Sequence, residues 1–162
     1  MGDDKTSLSR FEYWSYGWEV IKDHPLLGVG FNNWLSYAYY AVPDGVAFGK
    51  TELPHNIYIQ VAAESGFLGL FTFLALVIYA FVLNSRTRKI AVRINHKFYY
   101  YMTYGFDMGL VGYLVAGTFV TVFYYPFFWV QIAMIVALHS ISRSLSGEAE
   151  GVVRLKNKSN RS

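Results

Sequence analysis

Two long stretches without charge constrain this chain more than any other feature. From Gly66 to Leu83 there is no Asp, Glu, Lys or Arg in 18 positions, and from Phe98 to Ser142 the only one is Asp107. Runs of that length exceed what a buried soluble helix needs. At about 1.5 Å per residue they match the roughly 30 Å hydrocarbon thickness of a bilayer. The overall hydrophobic share, 54% of 162 residues, is near that of soluble domains and decides nothing. Its distribution predicts an all-α integral membrane protein.

Three membrane spans are expected: 66–83, 99–121 and 124–141. The 84–98 loop between the first two carries Arg86, Arg88, Lys89, Arg93 and Lys97 and no acid. The 142–162 tail is also mainly basic, whereas residues 1–65 hold four Lys and Arg against eight acids. Short basic segments stay cytoplasmic, so the loop and tail are expected inside and residues 1–65 outside. The second and third spans meet at "FYYPFFW", which suits an outer aromatic turn around Pro126. Within the second span, Gly105, Gly109, Gly112 and Ala116 lie at four-residue spacings. They form either a close-approach face or the ordinary glycine content of a membrane helix. The chain has no cysteine, which excludes disulfides and thiolate metal sites. A net charge of +3 argues for no nucleic-acid partner.

The outer segment carries its own order. In "SRFEYWSYGWEVIKDHPLLGVGFNNW", Trp14, Trp18 and Ile21 fall at helical spacing, one turn after Arg10. Ser7 or Ser9 could cap this helix, with Glu12 completing a capping box, and His24-Pro25 should end it. Pro43-Asp44-Gly45 reads as a turn. No basic n-region or early apolar run marks a signal peptide. The expectation is therefore that Met1 is not the native start, and that the chain is the C-terminal part of a larger multi-helix bundle.

Few groups can carry chemistry. No HExxH or second ligand cluster accompanies the four histidines, so neither a metal nor a cofactor is expected. Gly28-Val29-Gly30 lacks the rest of a dinucleotide fingerprint and reads as a turn. His55 follows Pro54, a favoured first-turn residue, so a helix starting there would run toward the membrane. A histidine at a helix N-terminus can donate to phosphate or take a proton from a hydroxyl; it can equally be a plain surface residue. Arg10 could grip a diphosphate through its planar fork or simply be solvated. Lys50 is another of the few outer cations. Asp107, an intramembrane acid, is read as a helix–helix contact, although a transporter role would also use such a group.

These residues together resemble the O-antigen ligase and polymerase family of bacterial envelope glycan assembly. Arg10 and Trp14 match an outer-loop arginine that precedes a tryptophan, and Pro25 to Gly30 match a "hPLLGvGfgnf"-like turn. His55, Asn56, Tyr58, Glu64, Gly66 and Gly69 match an "HN-Y-----E-G--G" segment leading into a membrane helix. The resemblance covers about residues 7–80.

It implies a metal-independent glycosyltransferase, multi-pass in the bacterial inner membrane and working at its outer, periplasmic face. The donor would be a glycan on undecaprenyl diphosphate. The acceptor hydroxyl would belong to lipid A–core, another glycan or a protein. By the same carry-over Arg10 and His55 would be catalytic, with Asn56, Lys50, Tyr58 and Trp14 binding substrate. Full members have more helices than this chain, so the isolated 162 residues are expected to be inactive without N-terminal helices or a partner chain. The alternative is a small non-enzymatic membrane subunit whose aromatics, Trp14 and Trp18 above all, bind a partner or membrane lipid.

Overall fold

The structure, a computed structural model, describes residues 3–41 and 53–159, without the side chains of residues 3–10, 12, 38–41, 152–156 and 158. Lys50 and the expected Pro43-Asp44-Gly45 turn lie outside the described residues. Those described form five helices and no strand: α1 (Asp3–Asp23), α2 (Trp34–Ala41), α3 (Ile57–Arg93), α4 (Lys97–Gly117) and α5 (Phe127–Ser159). The all-α expectation holds. α1 stops immediately before His24-Pro25, but it starts at Asp3 rather than at a Ser7 or Ser9 cap.

Among the described residues two helices, not three, are long and apolar enough to cross a membrane: Ile57–Arg93 and Phe127–Gly151. The expected span 99–121 is not among them. Its helix closes at Gly117, and Lys97, Asp107, Tyr99, Tyr100, Tyr101, Tyr104 and Tyr113 dilute its apolar character. The charge argument for topology weakens with it. Placing the 84–98 stretch and the tail on one side requires two crossings between them, and only α5 has the length and apolarity for one.

The basic stretch 84–98 is mostly helix, because nothing in "NSRTRKIAVR" interrupts α3. The chain turns only at 94–96, where Asn95 takes a positive φ of 52°. His96 N–H donates to the Ala91 carbonyl at 2.8 Å and Asn95 N–H to that of Val92 at 3.1 Å. This pair of bonds is a Schellman ending, with asparagine in the left-handed position where glycine is commoner.

The chain divides into two compact units, Met1–Ala75 with Tyr113–Tyr125, and Leu76–Gly112 with Pro126–Ser162. In the first, Val20, Ile21, Trp34, Ala62 and Ala63 form the buried core, with Tyr16, Val29, Tyr37, Leu53, Phe67 and Leu70 packed around it. Each fully buried aliphatic or aromatic side chain here contributes about 1.5–3 kcal/mol. α1 therefore buries Tyr13, Val20 and Ile21, while Trp18 stays exposed. Gly17 sits on the same buried face because a Cβ there would meet the Ile59 and Trp34 side chains.

The second unit is organised around polar groups. Asp107 on α4 accepts from Arg88 at 2.8 Å and from the Asn84 amide at 2.8 Å, both on α3. Arg88 also lies 4.2 Å from the Tyr104 ring centroid. Asp107 is thus the inter-helix contact its position suggested. Of the three glycines in the small-residue row, Gly109 has a close neighbour, Gln131 of α5, while Gly105 and Gly112 face open space. Replacing Asp107 by Ala should destabilise this unit by about 3–5 kcal/mol, since it leaves the Arg88 charge without its partner. The double change Arg88→Met with Asp107→Leu should recover most of that loss. Thermal unfolding of the three proteins in detergent tests both statements.

Candidate active site

The first unit is built around a break in α3. Gly66 has φ 66° and ψ −171° inside an otherwise continuous helix, a conformation that is essentially reserved for glycine. The break releases the carbonyls of Ala63 and Glu64 and the N–H groups of Phe67 and Leu68, which a regular helix would have paired with one another. The loop after α1 supplies all four missing partners. Val29 and Gly30 N–H donate to Ala63 and Glu64 carbonyls, both at 2.9 Å, while Phe67 and Leu68 N–H donate to the Pro25 and Leu26 carbonyls at 2.7 and 3.4 Å. Backbone groups that would be costly to leave buried and unpaired are all satisfied.

The approach is close enough to demand glycine on both sides. A Cβ at Gly28, where φ is 65°, would collide with the Glu64 backbone, and one at Gly66 would collide with the Leu26 carbonyl. The "PLLGVG" and "ESG" motifs are therefore two halves of one backbone lock.

Glu64 fastens the same loop from its side chain. It is almost fully buried. Its carboxylate accepts the N–H of Asn32 at 3.2 Å, the N–H of Trp34 at 3.3 Å and the Tyr124 hydroxyl. Trp34 opens α2, so the acid also meets the positive end of that helix. Burial, and then the bond to Glu64, push the Tyr124 phenol well above its ordinary range. It stays protonated as a donor. Phe31 packs edge-on against Phe123 and Tyr124, closing the loop over this contact.

His55 stands at the head of α3, just ahead of the helix rather than in its first turn. Its φ is 46°, a region that non-glycine residues enter rarely. The residues on either side hold it there. Trp14 Nε1 donates to the Pro54 carbonyl at 2.8 Å. Asn56 is the N-cap, its amide oxygen accepting from Tyr58 N–H at 3.0 Å and Ile59 N–H at 3.1 Å. Two of the helix-start N–H groups expected for phosphate are thus already engaged. The His55 ring meets Thr121, with Oγ1 3.3 Å from Nδ1.

Of the residues singled out in the sequence, Trp14, His55, Asn56 and Tyr58 gather around this one point. Tyr58 turns its hydroxyl to the Leu114 carbonyl at 3.2 Å. Arg10 lies on α1 four residues before Trp14, and so on the same helical face; its side chain is outside the description. Lys50 lies outside the described residues. The sequence reading missed Thr121 and Tyr124, which come from the link between α4 and α5. A hydroxyl next to an aromatic turn carries no signature of such a contact. Glu64 was readable as a motif residue, yet nothing local says that its carboxylate fastens a loop 30 residues away.

Residues 1–74 match the family model described as O-antigen ligase. No curated protein and no solved structure matches the chain. The matched segment holds α1, the Gly28–Gly30 turn, α2 and α3 past its break, which is every part of the site except Leu114, Thr121, Phe123 and Tyr124. Two apolar helices and this match together point to a membrane protein. Its first 74 residues are similar to the O-antigen ligase family.

Proposed function

We propose that this chain serves a membrane glycosyltransferase reaction at the periplasmic face of the bacterial inner membrane. The donor is a glycan linked to undecaprenyl diphosphate. The acceptor is a hydroxyl of lipid A–core, of a second glycan or of a protein. The acceptor oxygen attacks the anomeric carbon, and the bond from that carbon to the diphosphate oxygen breaks. The electron pair leaves with the diphosphate. His55 takes the acceptor proton or donates to the diphosphate, and the planar Arg10 guanidinium holds the departing anion through paired hydrogen bonds. Trp14 and Asn56 hold the backbone around His55, while Tyr58 and Lys50 contact substrate.

The observation that supports this reading most is the bond from Trp14 to the Pro54 carbonyl. It ties the helix that bears Arg10 to the residue preceding His55, within a segment that matches the O-antigen ligase family. A cation for the leaving group and a proton carrier then lie on elements joined at one point.

The test uses membranes from the cells that produce the chain, supplied with undecaprenyl-diphosphate-linked glycan and acceptor in the presence of EDTA. The expected result is glycan on the acceptor with equimolar release of undecaprenyl diphosphate, undiminished by the chelator. Equal transfer in membranes from which this chain has been deleted would refute the proposal.

A further inference from the structure

We propose that the turn after α1 is a lipid anchor, in which the Leu26 and Leu27 side chains enter the bilayer beside α3. Such an anchor is independent of the glycan chemistry proposed above. The two leucines are 73% and 71% exposed, in a segment outside both helices that are long and apolar enough to cross a membrane. Leu68 and Phe71 on α3 are 62% and 65% exposed, and the backbone bonds to Phe67 and Leu68 seat the turn next to them. An apolar patch of this kind marks a surface that lipid or another protein covers.

The height of the turn along α3 identifies the cover as lipid. Phe67 N–H donates to the Pro25 carbonyl at 2.7 Å and Leu68 N–H to that of Leu26 at 3.4 Å, so the turn is level with residues 66–68. There the uncharged run 66–83 begins, just after Gln60 and Glu64, and α3 passes from polar sequence into hydrocarbon. An exposed side chain fixed at that level meets lipid. The flanks agree, since Lys22, Asp23 and His24 before the turn and Asn32 and Asn33 after it are all exposed and polar. Non-helical backbone at a bilayer also needs its polar groups paired within the protein. Pro25 has no N–H, its carbonyl and that of Leu26 accept from α3, and Gly28, Val29 and Gly30 N–H donate to the His24, Ala63 and Glu64 carbonyls. The lock that holds the break at Gly66 thus lets this loop leave water.

The chain has no cysteine, so single nitroxide labels can be placed through Leu26→Cys, Leu27→Cys, Ile78→Cys and Asp23→Cys. The full chain is held in nanodiscs of phosphatidylethanolamine and phosphatidylglycerol. Power saturation then compares collisions of each label with oxygen, which concentrates in lipid, and with a nickel chelate, which stays in water. Ile78, exposed within the uncharged run, is the lipid reference, and exposed Asp23 at the end of α1 is the water reference. Labels at 26 and 27 should collide more with oxygen than with nickel, as at Ile78 and the reverse of Asp23. Nickel collisions at either leucine position as frequent as at Asp23 would overturn the proposal. Shielding from both reagents would overturn it too, since protein would then cover the turn, and a water reading at Ile78 would remove the span and the anchor together. The unmodified chain gives a second reading that no label can disturb. With phospholipid carrying a diazirine on its acyl chain, illumination should leave adducts on Leu26 or Leu27; adducts on the 66–83 run and none on the turn would refute the anchor.

Discussion

His55→Ala should lower glycan transfer by about 10²–10⁴-fold, the usual contribution of a positioned proton-transfer group, with insertion into the membrane unchanged. The fold gives a way to separate that chemistry from backbone strain. His55 occupies φ 46°, where alanine is strained much as histidine is but glycine is not. His55→Gly should therefore unfold at the same or a higher temperature than His55→Ala and transfer equally little. If the loss came from a disturbed helix start instead, the glycine variant would recover activity along with stability. Arg10→Ala should bring a comparable loss. Arg10→Lys should restore only part of it, because an ammonium cannot reproduce the planar fork on a diphosphate. Initial rates of undecaprenyl diphosphate release, normalised to the amount of inserted protein, check all four variants. Near-normal rates in His55→Ala would remove His55 from the mechanism.

Gly66→Ala should destabilise the first unit by about 3 kcal/mol or more, combining the penalty of a non-glycine residue at this φ and ψ with a collision against backbone. The collision partner is the Leu26 carbonyl, which cannot swing aside as a side chain would. If α3 were to straighten instead, Phe67 and Leu68 would regain Ala63 and Glu64 as partners. The 25–30 loop would then lose four backbone hydrogen bonds at once. The variant should expose that loop to protease cleavage near Leu26-Leu27 while leaving the pairing of Arg88 with Asp107 intact. Limited proteolysis beside a denaturation curve reads both effects. A Gly66→Ala protein with unaltered cleavage and stability would mean the break is not held by this lock. Gly28→Ala serves as the matching control, because its Cβ would strike the Glu64 backbone from the opposite side.

Several features were legible in advance for clear reasons. The end of α1 follows from proline, which disfavours helix in the residue before it. The apolar rods of α3 and α5 follow from uncharged runs too long for a small soluble core. The role of Asp107 as an inter-helix contact follows from the expense of an unpartnered acid in such a helix. The expected second span, 99–121, fails because absence of charge is not the same as apolarity. The tyrosines of α4 are uncharged but polar, and they hold it below what a spanning helix requires. The start of α3 was misjudged because proline's preference for a first turn competes with the stronger capping preference of asparagine. Asn56 took the cap and left Pro54 and His55 outside the helix.

What the sequence alone determined is the helical class, the two apolar rods and a segment similar to the O-antigen ligase family. These depend on composition, periodicity and local motif, which act over a turn or two of chain. Only the tertiary structure decided that "PLLGVG" and "ESG" form a single lock, that Glu64 fastens α2 and Tyr124, and that Thr121 meets His55. Those contacts join residues 30 to 66 positions apart. They exist because a broken helix must find partners for its freed backbone groups, and no local pattern specifies which distant loop supplies them.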